Sequence, residues 1–175
     1  MNYELNMRIK IYLFIFLFCA VNSSSAQDVK ELFKQGQIHF NNARYDSAIV
    51  YYNNIIELDA AYMKAYLQRG FCKNITKDFP GAIQDFTKVI ELDHTHQWAY
   101  VSRGSAKNKT GDYQSAIDDF NKALELDPKD QEAYNNRGFS KKALGDKEGA
   151  CADWITSKKL GNEEAVIILA NNRCK

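Results

Sequence analysis

A period of 34 residues organises most of this chain. Glycine, alanine, aromatic residues and leucine each recur at that spacing. The four columns are Gly36, Gly70, Gly104 and Gly138; Ala48, Ala82, Ala116 and Ala150; Tyr52, Phe86, Phe120 and Trp154; and Leu58, Leu92, Leu126 and Leu160. A unit this short cannot bury its apolar face alone, so the repetition predicts a stack of similar units with a shared core.

Each unit is predicted to be two helices joined by a tight turn. In residues 97–130, Tyr100 and Gly104 share one helical face, and Ala116 and Phe120 share the face of a second helix. A Thr-Gly-Asp break separates the two helices, and Asp-Pro ends the second. Glycine inside a helix costs about 1 kcal/mol relative to alanine. Its return in every unit therefore predicts a close approach of the two backbones, with the aromatic side chain packed beside it.

These residues resemble the tetratricopeptide repeat, which has a first-helix aromatic and Gly, a second-helix Ala-x-x-x-aromatic and a closing Pro. The resemblance covers Val29 to Glu164 and implies an all-α, right-handed α-solenoid of four helix-turn-helix units. Departures from the pattern include Glu31-Leu32 in the first unit, Ala60 and His94 in place of the closing Pro in the first and second units, and Lys147 in place of an aromatic residue in the last. The predicted units are residues 29–62, 63–96, 97–130 and 131–164.

Residues 1–26 have the order of a secretory signal peptide. Arg8 and Lys10 precede an apolar run over residues 11–21, and small residues follow up to Ala26. Cleavage near Ala26 would send the mature chain to the periplasm, the cell surface or the medium.

Two other interpretations of this segment stay open. The apolar run could remain as a membrane anchor, although spanning a bilayer takes roughly 17 or more apolar residues. Cys19 could carry a lipid, although the preceding residue is Phe18 rather than a small one. Contact with a membrane is expected only through an uncleaved segment.

The charge balance argues against a nucleic-acid partner. The chain has 23 Lys+Arg and 22 Asp+Glu. Removing Arg8, Lys10 and Glu4 with the signal segment leaves 21 of each sign. A neutral mature chain has no net field that would draw it to phosphate backbones.

Two charged columns occur together in repeats two to four. Arginine precedes the glycine and aspartate precedes the second-helix aromatic, at Arg69, Arg103 and Arg137 and at Asp85, Asp119 and Asp153. Repeat one lacks both and has Gln35 and Tyr51. We therefore predict an Arg–Asp pair that joins the two helices of each of these repeats. The alternative is two independently solvated columns.

After the last repeat, residues 162–173 predict one capping helix that begins at Asn162 and covers the apolar face of repeat four. That helix should fold back on its predecessor and bring Cys151 beside Cys174. Export would allow a disulfide between them; the alternative is two reduced, buried thiols. Cys72 is predicted to be a small packed residue.

The resemblance implies that ligands bind on the concave side, which the first helices line. Exposed aromatic groups on that face suggest a partner surface, whereas packing between helices is the competing explanation. The predicted protein-binding groove comprises Phe33, Gln37, Lys64, Leu67, Phe71, Asn74, Trp98, Val101, Ser105, Asn135 and Phe139.

Some members of the family bind chaperone C-terminal carboxylates through Lys and Asn on this face. The matching positions here hold other residues: Phe33, Gln37, Gln68, Trp98 and Ser102. The sequence therefore predicts that this carboxylate clamp is absent.

The sequence shows no pattern typical of catalysis. His94 and His96 lack a third ligand at a suitable spacing for a metal, and no nucleophile motif or phosphate-binding glycine loop is present. We predict a non-enzymatic interaction scaffold or adaptor of the exported compartment, without metal, cofactor or small-molecule substrate. It would bind a protein or peptide. The alternative is a structural subunit of a larger cell-envelope assembly.

Overall fold

A computed structural model describes residues 27–174, and all regular secondary structure within them is α-helical. The all-α fold class predicted from the sequence is thereby confirmed. The described part of helix α1 covers residues 27–41. The others are α2 (Tyr45–Leu58), α3 (Met63–Ile75), α4 (Phe79–Leu92), α5 (Gln97–Thr110), α6 (Tyr113–Leu126), α7 (Gln131–Ala143), α8 (Lys147–Lys159) and α9 (Glu163–Asn171).

The predicted signal peptide, residues 1–26, lies outside the described residues. From residue 27 to residue 174, no helix combines the length and the apolar character needed to cross a membrane. Cleavage and export stay predictions.

Side-chain caps begin most of the helices. Asp112 accepts a hydrogen bond from the backbone N–H of Ser115 at the start of α6, and Asn162 accepts one from Ala165 at the start of α9. The predicted cap at Asn162 is therefore confirmed. Gly111 ends α5 with φ of 83°, a conformation that a side chain would strain.

The described residues divide into two compact units between Ala65 and Tyr66. In the first unit, α1 packs on α2 where Gly36 faces the fully buried Tyr52. A Cβ atom on Gly36 would lie 2.6 Å from Tyr52 Cε1. The Phe33 ring lies 5.8 Å from the Tyr52 ring and 5.7 Å from the Tyr62 ring.

In the second unit the same contact recurs in each repeat. A Cβ atom on Gly104 would lie 2.9 Å from Phe120 Cε1 and 3.2 Å from the carbonyl oxygen of Ala116. Both distances are too short for an undisturbed side chain. The close approach predicted from the glycine column is confirmed here, and it explains why a helix-weakening residue recurs at this position.

Helix α9 packs on the last repeat. Ile168 belongs to a buried cluster with Trp154, and Leu169 and Cys174 pack against that cluster. The Trp154 Nε1–H donates a buried 3.1 Å hydrogen bond to the carbonyl oxygen of Asn135. The indole therefore joins α7, α8 and α9.

The predicted Arg–Asp pairs are present, and a lysine joins each of them. Arg103 Nε and Nη2 donate to the two oxygens of Asp119 at 2.9 and 2.6 Å, while Lys107 Nζ lies 2.8 Å from Oδ2. The guanidinium also lies over the Tyr100 ring. The other two charge triads, as we call these clusters, are Arg69–Asp85–Lys73 and Arg137–Asp153–Lys141.

Arg103 and Arg137 also bond to the preceding repeat. Arg103 Nη1 donates to Thr87 Oγ1 at 3.1 Å, and Arg137 Nη1 donates to Asn121 Oδ1 at 2.7 Å. One guanidinium thus holds two helices of its own repeat and a helix of the repeat before it.

Candidate functional site on the first helices

The first helices of the second unit border a cavity of about 420 Å³. We call it the Trp98 pocket. Helix α3 contributes Phe71 and Asn74; α5 contributes Gln97, Trp98, Val101, Ser102 and Ser105; and the segment that begins α7 contributes Asp127, Lys129, Asp130, Gln131 and Glu132. Five of the predicted groove residues are therefore brought together: Phe71, Asn74, Trp98, Val101 and Ser105.

Trp98 is the most exposed large apolar side chain in the described part of the chain, at 71%. Phe71, by contrast, packs edge-on against Phe86 with the ring centroids 5.4 Å apart. Val101 is almost fully buried. The indole of Trp98 is thus an open contact surface, whereas Phe71 and Val101 form a supporting wall.

The rim of the Trp98 pocket is acidic and partly fixed. Asp130 Oδ1 accepts hydrogen bonds from the backbone N–H groups of Glu132 and Ala133 at 2.8 and 2.9 Å. Gln97 Nε2 donates to the other Asp130 oxygen. These bonds hold the Asp130 carboxylate in place at the rim.

The surroundings of the Glu132 carboxyl group shift its pKa. Its pKa is raised because it is partly shielded from water, and because the carboxylates of Asp130 and Glu164 lie nearby. The residue as a whole is exposed at the surface, so the carboxylate stays accessible to a partner.

A second cavity of about 580 Å³ adjoins the first at Ser105. In this Phe139 pocket, Phe139 is 41% exposed and its ring lies 5.5 Å from the Trp154 ring. The remaining lining residues are Asn108, Lys109, Tyr113, Asn136, Lys142, Ala143 and Glu164. The two pockets give a continuous surface along α5 and α7.

Two predicted groove residues of the second unit lie elsewhere. Leu67 packs against the core cluster that contains Phe86. Asn135 is only 3% exposed, and its Nδ2–H donates to Glu164 Oε2 at 3.0 Å. The expectation that Asn135 is open to a ligand is corrected by this contact, because Glu164 of α9 covers it.

The remaining predicted residues belong to the first unit. Phe33 and Gln37 line a cavity with residues of α1 alone, and Lys64 is exposed. Phe33 is held by the Tyr52 and Tyr62 rings, so part of its surface serves packing.

Sequence reasoning missed the rim of the Trp98 pocket. Asp127, Asp130 and Glu132 lie where one repeat ends and the next begins, and the sequence pattern there predicts only that Asp-Pro ends a helix. The available signal was this cluster of three acidic residues within residues 127–132.

The groove offers surfaces for contact with a partner. Its lining consists of aromatic rings, carboxylates, amides and hydroxyls. Among residues 27–174, no group of three or more His, Cys, Asp or Glu is arranged to hold a metal ion. The fold and the groove define a helical-repeat scaffold of the protein-interaction class.

Comparison with known families agrees with that class. A "TPR repeat" model matches residues 104–145, and a "Tetratricopeptide repeat" model matches residues 32–62. The two matched segments are therefore tetratricopeptide repeats. No curated protein matches it significantly by sequence.

Solved structures share the fold. MamA is 20% identical, with a TM-score of 0.75, over 85% of this chain and 86% of MamA. The first TPR of Spaghetti (RPAP3), bound to the HSP90 peptide SRMEEVD, is 27% identical, with a TM-score of 0.66, over 68% and 94%. The Arabidopsis OM64 TPR domain is 25% identical, with a TM-score of 0.64, over 67% and 98%.

Proposed function

We propose that the chain is a non-enzymatic protein-interaction scaffold that binds a peptide or protein segment along the Trp98 and Phe139 pockets. The observation that carries the proposal is the exposure of Trp98, at 71%, beside a pocket with an acidic rim. Tryptophan is enriched among the residues that dominate binding energy at protein interfaces. The other described tryptophan, Trp154, is 1% exposed. The exposure of Trp98 therefore comes from its position in the fold and not from its residue type.

The similar RPAP3 domain supports a peptide as the occupant, since it was solved with one. That peptide, SRMEEVD, ends in acidic residues and a carboxylate. The present groove has Trp98 and Ser102 on α5 and an acidic rim at α7. We therefore propose that this chain binds a segment that differs in chemistry from SRMEEVD.

Site-specific photo-crosslinking tests the proposal. A benzoylphenylalanine residue at position 98 is expected to capture a discrete partner in cells, because the side chain would lie in the interface. Leu126 on α6, also exposed at 36% and outside both pockets, supplies the matched control position. Crosslinks should be absent or much weaker from position 126.

Equal capture from positions 98 and 126 would instead favour a structural subunit with both faces covered in a larger assembly. Capture from position 126 alone would contradict the proposed groove.

We also propose that the scaffold works in an exported, oxidising compartment. Residues 1–26 have the order of a signal peptide. The Cys151 and Cys174 sulfur atoms lie at disulfide-bonding distance, with Cα atoms 5.5 Å apart. Disulfides persist in such compartments and are rare in the cytosol of mesophiles.

Replacing both cysteines, as Cys151→Ser with Cys174→Ser, is expected to lower the free energy of unfolding by about 3 kcal/mol in the chain-entropy model for a loop of this length. Denaturant unfolding of the natively exported protein measures the change. Dithiothreitol should lower the stability of the unaltered protein toward that of the variant and leave the variant unchanged. Alkylation of Cys151 and Cys174 in the native protein, without reduction, would contradict the disulfide.

A further inference from the structure

We infer that the segment bound at the Trp98 pocket presents a basic side chain, Lys or Arg, between the Trp98 ring and the carboxylates of Asp127 and Glu132. This inference rests on the proposed function and specifies the chemistry of the partner.

The Trp98 pocket is acidic, whereas the chain as a whole is nearly neutral. Among its lining residues, Asp127, Asp130 and Glu132 are acidic and Lys129 is basic. The whole sequence is nearly balanced, with 23 Lys+Arg against 22 Asp+Glu. The acidic excess is therefore local, and it lies beside the most exposed aromatic ring of the described residues.

Glu132 is the carboxylate best placed to meet a cation. Asp130 already accepts the backbone hydrogen bonds that begin α7. Glu132 forms no ion pair with the described residues. Shielding from water and two neighbouring carboxylates raise its pKa, which shows that its ionised form is unfavourably placed. A bound cation would relieve that cost.

The chain binds its own arginines with an aromatic ring and a carboxylate, the two groups that the Trp98 pocket also offers. The Arg103 guanidinium lies over the Tyr100 ring, 5.7 Å from its centroid, and bonds to Asp119. The Arg137 guanidinium is held likewise over Tyr134. An aromatic face combined with a carboxylate binds a cation through its charge and through the ring quadrupole. The Trp98 pocket offers this combination at the surface.

The sign of the charge reverses along the groove. The Phe139 pocket is lined by Lys109 and Lys142 against one carboxylate, Glu164. The preference for a basic side chain is therefore confined to the Trp98 end, and it also sets the direction in which a segment of mixed charge would lie.

Selection from a phage-displayed random dodecapeptide library tests the inference on the full-length protein. Peptides retained by the protein but not by a Trp98→Ala variant should share a Lys or Arg. Titration with such a peptide should shift the indole N–H signal of Trp98 and leave that of the buried Trp154 in place. Peptides that depend on Trp98 but carry no basic residue would overturn the inference and leave the proposed function standing. Failure to select any Trp98-dependent peptide would count against both.

Charge reversal gives the second measurement. Glu132→Lys is expected to weaken the selected peptides by about tenfold, the effect of a change of about 1.4 kcal/mol. Glu148→Lys is the matched control, because Glu148 is likewise the second residue of its helix, α8, and lines neither pocket. It should leave affinity within about twofold, since solvent and salt screen an exposed charge that does not line the site. A peptide with Glu in place of its basic residue should bind Glu132→Lys better than the unaltered protein. Equal affinities across these variants would refute the inference.

Discussion

Asp119→Ala is expected to lower the free energy of unfolding by about 3 kcal/mol, at the lower end of the range for breaking a buried ion pair. The Asp119 side chain is 5% exposed and bonds to both Arg103 and Lys107, which are each 17% exposed. Its removal leaves two largely buried cations without a counter-charge. The lower end applies because both long side chains retain some solvent contact.

Asp118→Ala is the control for this prediction. Asp118 is the preceding residue of α6 and is exposed, so its loss should change stability by no more than about 0.5 kcal/mol. Urea unfolding followed by circular dichroism gives both values. Equal midpoints for the two variants would show that the charge triad contributes nothing particular to stability.

Trp154→Ala is expected to lower the free energy of unfolding by about 3–5 kcal/mol, as for other large buried aromatic side chains. Trp154 is 1% exposed and packs with Ile168 of α9. Its Nε1–H also satisfies the carbonyl oxygen of Asn135. The substitution would leave a cavity at the junction of α7, α8 and α9 and an unpaired buried acceptor.

The same substitution at Trp98 separates packing from binding. Trp98→Ala removes an identical side chain that is 71% exposed, so stability should change by about 0.5 kcal/mol or less. Trp98→Ala should also weaken binding of the partner that is captured from position 98. Denaturant midpoints that fall equally in both variants would contradict the assignment of Trp98 to a contact surface.

The helical architecture could be predicted because it depends on residues that recur. Gly104 and Phe120 belong to columns repeated every 34 residues, and their contact is found in the structure. The pairing of Arg103 with Asp119 was predictable because both columns are missing together from repeat one. The third member, Lys107, was not assigned to the pair, although its column at Lys73, Lys107 and Lys141 has the same period.

Repeat one shows what replaces a charge triad. His39 and Tyr51 occupy the positions of the lysine and the aspartate, and their rings stack 5.1 Å apart. A polar cluster and an aromatic stack thus fill equivalent places. Comparison of the four repeats shows that repeat one lacks the charged residues of the triad. Only the structure shows that a ring contact replaces them.

The groove was less predictable than the fold. Helical periodicity places Phe71, Trp98 and Phe139 on the corresponding faces of α3, α5 and α7. It does not determine which of these rings packs against another side chain. Phe71 packs on Phe86 and Trp98 stays open. Asn135 satisfies the same pattern and is nevertheless covered by Glu164 of α9, because burial there depends on a helix outside the repeat.

The bonds from Arg103 and Arg137 to the preceding repeat bear on how the array unfolds. Arg103 bonds to Asp119 in its own repeat and to Thr87 in the one before; Arg137 does the same with Asp153 and Asn121. In a linear array, stability is the sum of each repeat's own contribution and of the couplings between neighbours. Because one guanidinium contributes to both, melting of a repeat also weakens the next. Repeats two to four should therefore lose structure in one cooperative transition, not by fraying one at a time from an end.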